Sequence, residues 1–499
     1  MTGKTLIFNF DGTGNEPRDA EQFSSEHFKE DSSISNIVKL HLLLGGKLDG
    51  SPTTAFSQQL SFYYQGIGTK GSRLKRFLNQ TLAPHGDDVA SILNQAMRDF
   101  KTHYQLGDTL LLTGFSRGAA LARRFAKILE PLISNNVYVC VFDTVASIGL
   151  SKVSKATRGA EHVIFENHTI ANNISQALHC VALDEKRRAF EPTLMNHQNN
   201  ITELWFAGAH SDIGGGYYRD GLADICLRYA LEWIIEQPLA ISLLTSHDIN
   251  YKTLLPDSNL IAQDDLTVIP DSLALSHQQN YFWLNSFFKL VDRECFVLVD
   301  NEASNIKPLV HHSVATRINK LTSYRPESLK KQSYNVSYSD NSTLSFTGLS
   351  AHITLANQNM SVLSIGQSQD VVVFASEFYN KTGLMLEQGA TYRFTPYPDQ
   401  HWFDDGIKCT PKGWHRDDVQ LGVKEIPMAL LEPFRRLPDA QWFSLVGAIN
   451  NNEEFLFKIA NDATVTITKS GEFSPFANDL SRFYGANAGK IKVKVSRIS

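Results

Sequence analysis

Asp108-Thr109-Leu110-Leu111-Leu112-Thr113, then Gly114-Phe115-Ser116-Arg117-Gly118, then Ala119 to Leu129 is the stretch from which the rest of the chain is read. The first six residues are a short apolar run of the kind buried on both faces of a sheet. The last eleven are rich in strong helix formers. Between them lies G-x-S-x-G, the nucleophile-elbow pattern. Glycine is needed on both sides because the serine occupies a strained turn where side chains would strike neighbouring backbone. The helix that follows offers its N-terminal peptide N–H groups to a developing oxyanion, the Arg117 N–H among them. Strand, sharp turn and helix in this order mark Ser116 as a nucleophile.

Working outward, Thr5 to Phe10 reads as a buried strand that ends in Asp11-Gly12-Thr13-Gly14-Asn15. A polar, glycine-rich loop at the C-terminal edge of a central strand is where open α/β sheets place ligands. Asp11, Gly12 and Thr13 are therefore candidates for an oxyanion or head-group loop. Ile34 to Leu44 is a helix closed by Gly45-Gly46. Ser61 to Gln65 is a strand candidate, followed by a second glycine loop, Gly66-Ile67-Gly68-Thr69. Asp87 to Tyr104 is an amphipathic helix leading into the nucleophile strand. Strands alternating with helices of this length predict a doubly wound, mainly parallel sheet.

Beyond the elbow helix, Val137 to Phe142 is another apolar strand, ending in Asp143-Thr144. An aspartate there can orient an imidazole and stabilise its cation; a turn or cap is its bland alternative. Residues 150–200 read as a covering segment, with Asn172 to Leu183 helical and Asp184-Glu185-Lys186-Arg187-Arg188 a solvated charge run. Glu203 to Ala207 is the next strand. It ends in Gly208-Ala209-His210-Ser211-Asp212-Ile213-Gly214-Gly215-Gly216-Tyr217, where glycine lets a histidine approach closely, so His210 is the candidate general base. Asp212 with His311 is a rival acid–base pair, since it too gives the chain order Ser, Asp, His. Gly221 to Glu236 is a helix. Residues 240–305 carry few chemical signals apart from the aromatic stretch 281–288, read as core or lid.

Near residue 330 the character changes to short alternating runs separated by Gly, Asn and Asp, which indicates a β-sandwich. The expected organisation is a catalytic α/β part over 1–330, a connecting β segment over 331–368 and a C-terminal β-sandwich over 369–499.

Composition bounds the function. The chain has 499 residues, 42% hydrophobic and 20% charged, with net charge −5. That describes an ordinary globular protein with no electrostatic case for nucleic acid. Five scattered cysteines, without a C-x-x-C pair, argue against a disulfide framework. The N-terminus runs straight into a strand with no signal-peptide h-region, and no apolar run has membrane-spanning length. A protein that acts on membranes with this sequence is expected to bind them at the surface.

Taken in order, Phe10 to Asn15, Gly66 to Thr69, Gly114 to Ala119, Phe142 to Val145 and Gly208 to Tyr217 resemble the family-one lipase effectors of type VI secretion and their α/β-hydrolase relatives, over roughly residues 4–326. The resemblance implies an α/β-hydrolase-like fold. It implies a phospholipase A with a Ser116, Asp143 and His210 triad, made in the cytoplasm and delivered into the periplasm of rival bacteria. It further implies phospholipid membrane, a secretion spike protein and an immunity protein as partners. The family's later His-x-Ser-Val motif matches His311, with His312 where proline is common. The rival functions are a non-catalytic glycan- or membrane-binding module on a degenerate scaffold, and a housekeeping esterase for small esters.

In the C-terminal part, Trp442 to Ile449, Phe476 to Asp479 and Tyr484 to Gly489 resemble bacterial galactophilic lectins. Those lectins hold calcium through Asp, Asn, Thr and backbone oxygens. Asp479 and Asn487 stand at ligand-like places, but Phe483 and Ala486 stand where oxygen ligands are expected. The expectation is a sandwich that docks to membrane, glycan or protein, with calcium only a weak candidate and no cofactor for the hydrolase.

Overall fold

A computed structural model describes residues 3–12, 15–20, 31–66, 86–146, 170–254, 260–277, 290–338, 342–350, 352, 360–404, 406–419, 431–480, 484 and 487–499. The glycine-loop residues Thr13, Gly14 and 67–69 and the aromatic stretch 281–288 lie outside these.

The strand Thr5–Phe10 (β1) is buried at every position. Its alternation splits the core in two. Leu6, Phe8 and Phe10 pack on one face, and Ile7 packs on the other. The same alternation continues through Thr109–Phe115 (β3) and Val137–Phe142 (β4). Two-sided burial is what a parallel sheet with helices on both faces imposes. Asn36–Leu43 (α1) and Gly221–Glu236 (α5) supply one covering layer. Gly86–His103 (α2) and Arg117–Leu129 (α3) supply the other. Ser35 caps α1 by accepting the Val38 N–H.

Among the described residues the sheet has nine strands. Adding Gln59–Tyr64 (β2), Ile174–Ala182 (β5), Ile201–Phe206 (β6), Leu309–His311 (β7), Ser333–Ser337 (β8) and Thr343–Thr347 (β9), its order is β9-β8-β7-β6-β5-β4-β3-β1-β2. All pairings are parallel except β8 with β9. The chain runs from β1 out to β2 and then returns to β3 on the other side of β1. The order therefore reverses between β1 and β3, and that switch point is where such sheets open a crevice at their C-terminal edge. Ser116 follows β3 and Asp11 follows β1, so the topology brings both loops to this crevice.

Three expectations are corrected. Residues 172–183 are not a helix but contain β5, the strand beside β4; the run Ala177 to Ala182 is buried throughout, and sheet pairing overrides its helical reading. The boundary expected near 330 falls too early, because β8 and β9 complete the main sheet. The charge run 184–188 is solvated only in part: Lys186 is exposed, but Glu185 and Arg187 are buried and joined to each other.

From about residue 360 the chain is β-rich and its pairings are antiparallel apart from Ser361–Val362 with Leu384–Leu386. Ala488–Arg497 pairs with Ser368–Phe374 and with Thr391–Pro396. A second sheet centres on Leu445–Ile449, flanked by Asn452–Lys458 and Phe476–Ala477. Val373, Phe394, Trp402, Leu445, Phe473 and Val493 join the two in one core. Glu377, 2% exposed, ties this region to the α/β part by accepting from Thr322 and from Ser323 Oγ at 2.5 Å. All five cysteines are buried free thiols.

Candidate active site

Ser116 sits at φ 58°, ψ −122°, the strained conformation of a nucleophile elbow. Its N–H donates to the Phe142 carbonyl at 3.1 Å, and its carbonyl accepts the Val145 N–H at 3.2 Å. The two glycines are required by space. A Cβ on Gly114 would stand 2.6 Å from Ala119 Cα, and one on Gly118 would stand 2.2 Å from the Phe10 carbonyl oxygen. Gly118 thus lets α3 press its first turn against the end of β1. The Arg117 N–H is at the positive end of this helix.

Asp143 directly follows β4, next to β3, again at positive φ (38°). Its N–H donates to Cys180 O at 2.7 Å. The following Thr144 N–H donates to His179 Nε2 at 3.0 Å, and His179 Nδ1 pairs with Glu203 at 2.7 Å. This turn therefore aims the fully buried Asp143 carboxylate across the sheet edge.

There it meets His210, the first residue of the short helix His210–Gly214 (α4). His210 Nδ1 lies 2.6 Å from Asp143 Oδ2. With Nδ1 donating to a carboxylate, the neutral ring carries its lone pair on Nε2. The ring is held between Phe115 at 4.6 Å and the edge-on Phe190 at 5.0 Å. Burial pulls its basicity below the usual imidazole value, against the pull of Asp143. Burial alone would raise Asp143, but Arg293, then His210, hold it well below the carboxylate range.

The loop glycines keep α4 in place. A Cβ on Gly214 would run into the Phe115 ring at 2.0 Å, and one on Gly215 (φ 82°) would meet Asn36 N at 2.5 Å. Asp212 caps α4 through the Ala209 N–H at 2.8 Å.

The rival pair is not brought together. Asp212 Oδ1 pairs with His277 Nδ1 at 2.6 Å. His311 Nδ1 instead faces Ser313 Oγ at 2.8 Å and caps the helix His312–Lys320, its ring stacked on Phe206. Burial drops the His311 imidazole to about 3. The Asp11 loop is also corrected in part. Gly12 N–H donates to Asp11 Oδ1 at 2.7 Å, and that carboxylate also receives Ser35 Oγ and Tyr63 OH, so the Gly12 N–H is committed to its own loop. Thr13 lies outside the described residues. Asp479 and Asn487 are side by side in the C-terminal region, 3.0 Å apart. Among the described residues, no three or more His, Cys, Asp or Glu gather to hold a metal ion.

Several site residues escaped the sequence reading. Glu185 accepts the His210 N–H at 3.2 Å and is gripped by Arg187. Burial would raise Glu185, but Arg187 outweighs it and brings the carboxyl down to about 2. Arg293 grips Asp143 from a stretch with no motif. His277 bridges Asp212 and Asp31.

Residues 4–132 and 134–237 match the family described as the catalytic domain of Tle1-like phospholipase effectors of the type VI secretion system. The match covers a little under half of the chain. The matched segment holds Ser116, Asp143 and His210, whereas Arg293 lies beyond it. Among solved structures, the chain is similar to an uncharacterised protein from Pseudomonas aeruginosa, at 15% identity over 53% of this chain and 49% of that one, TM-score 0.32. It is also similar to the Tle1 effector bound to the VgrG spike, at 23% identity over 43% and 51%, TM-score 0.28. The chain spans about half the length of these two proteins. A quarter of it (26%) is similar to the EclA N-terminal domain, a PllA-like lectin, at 19% identity over 94% of that chain, TM-score 0.18. No curated protein matches.

Proposed function

We propose that the protein is a serine esterase that cleaves acyl esters of membrane glycerophospholipids, a phospholipase A acting as an antibacterial effector. The observation that carries this reading is the buried Asp143–His210 pair at the crevice edge, beside the strained elbow of Ser116. Ser116 Oγ attacks the ester carbonyl carbon while His210 Nε2 takes its proton. The new C–O bond forms as the carbonyl π pair moves to oxygen. The first peptide N–H of α3, on Arg117, faces that oxyanion. The intermediate collapses, the lysophospholipid alcohol leaves with the proton from His210, and water then releases the fatty acid by the same relay. Asp143 keeps Nδ1 protonated and stabilises the imidazolium.

The family match supports the phospholipase class. Among the described residues, no helix is long and apolar enough to cross a membrane. By analogy with the spike-bound relative, a secretion spike carries the protein to the periplasm of a target cell, and producing cells hold an immunity protein. The C-terminal β region is read as a docking module for membrane, glycan or protein.

A fluorophosphonate probe tests the nucleophile. The expected result is one covalent adduct on the peptide containing Ser116, abolished in Ser116→Ala. Labelling of the alanine variant to the same extent would refute the assignment.

A further inference from the structure

The Asp143 carboxylate is saturated. Ionised, it offers about four lone-pair sites. Oδ1 receives the Ala182 N–H at 3.0 Å and Arg293 Nη1 at 2.7 Å. Oδ2 receives Arg293 Nη2 at 2.9 Å and His210 Nδ1 at 2.6 Å. Arg293 is itself anchored, donating from Nη1 to Ala182 O at 2.8 Å and from Nη2 to Phe190 O at 2.5 Å. Phe190 in turn packs its ring on His210 and under the Arg187 guanidinium, 3.7 Å away. Asp143 is fully buried and Arg293 is 8% exposed.

A triad aspartate needs to do two things: stay ionised while buried, and keep one oxygen on the imidazole. Burial opposes the first, since a lone carboxylate at this depth is driven to its neutral form. A neutral carboxyl would carry its own proton on one oxygen and compete with the Nδ1–H. A planar, bidentate cation meets both needs, which a point charge does not.

We propose that Arg293 is a positioning residue for hydrolysis, whose guanidinium fork holds Asp143 ionised and fixes the orientation in which Oδ2 faces His210. This rests on the Ser116–His210–Asp143 reading. The fork also has a cost, since its positive charge disfavours the imidazolium that forms during attack. Glu185, at the His210 N–H, restores a negative charge on the other side. The charged and titratable groups facing the pair are Arg293, Glu185 and Arg187, with the thiols of Cys180 and Cys226 nearby in the core.

The test is nuclear magnetic resonance of histidine-labelled full-length chain, with hydrolysis of a short-chain nitrophenyl ester measured in parallel. Wild type, Arg293→Met and Arg293→Lys are compared. In Arg293→Met Asp143 loses the cation that holds it ionised and takes up a proton, so His210 loses its anionic partner; its titration midpoint falls by about one pH unit and the acid limb of kcat/KM moves with it. kcat falls on the order of tenfold or more with little change in KM. Arg293→Lys keeps the midpoint but loses kcat, because an ammonium does not span both oxygens. A folded Met variant with an unmoved midpoint or wild-type kcat would overturn the proposal. If the Met variant does not fold, a Lys variant with wild-type kcat would do the same. Wild-type chain that titrates as described but cleaves no ester would count against the esterase reading and leave the Arg293–His210 coupling standing.

Discussion

His210 follows β6 and His311 closes the neighbouring strand β7, and both are buried, yet their chemistry differs. The His210 imidazole has a buried carboxylate behind Nδ1. His311 spends Nδ1 on a hydroxyl and a helix cap. His210→Ala is therefore expected to lower kcat by roughly 10³-fold or more with native circular dichroism. His311→Ala is expected to cost about 1 kcal/mol of stability as a lost cap and to leave kcat within severalfold. Steady-state assays of the two purified variants decide this, and a reversed order would reinstate the Asp212–His311 pairing. At this scale the places of Ser116, Asp143 and His210 at the sheet edge were legible because each stands where an apolar strand gives way to a turn. Arg293 was not, because nothing local marks it and its partner is 150 residues away. Glu185 and Arg187 were misassigned because a mixed-sign run looks solvated until its members are seen to neutralise each other.

The element that positions the base is α4, a single turn with little stability of its own. It is held from below by Phe115 against Gly214 and capped from within by Asp212, which accepts the Ala209 N–H. Gly214→Ala is expected to displace Phe115 and cost about 1–3 kcal/mol as overpacking, read as a lowered melting temperature together with lost activity. Asp212 is in turn bracketed with Asp31 by His277, and Arg219 also grips Asp31. Burial would push the His277 imidazole down, but Asp212, then Asp31, outweigh it and lift it to about 9. A group raised in the folded state stabilises fully below its unfolded pKa, near 6.5, and loses that contribution as pH rises through about 9. Wild type is therefore expected to lose up to about 3 kcal/mol between these limits that His277→Gln does not lose. Denaturant melts across the alkaline range check this; parallel curves for the two proteins would contradict it. β5 shows why element type was read wrongly at 172–183: a strand buried among parallel neighbours loses its period-2 signal, and only pairing reveals it.

At the scale of the molecule, the order reversal between β1 and β3 explains why loops 100 residues apart meet. Parallel alternation made this architecture legible. The extent of the sheet was not, since β8 and β9 share the polar, alternating texture of the region that follows. That region is tied to the α/β part through Glu377, whose buried carboxylate accepts from Thr322 and Ser323. Glu377→Ala is expected to weaken the join by about 1.5–3 kcal/mol and to separate one calorimetric transition into two; a single unshifted transition would show the join to be unimportant. The central claim concerns which bond is cut. The measurement is mass spectrometry of the products formed from phosphatidylethanolamine and phosphatidylglycerol vesicles by wild type and by Ser116→Ala. The account predicts lysophospholipid and free fatty acid with wild type and neither with the variant. Phosphorylated head groups, or the same products from Ser116→Ala, would contradict it.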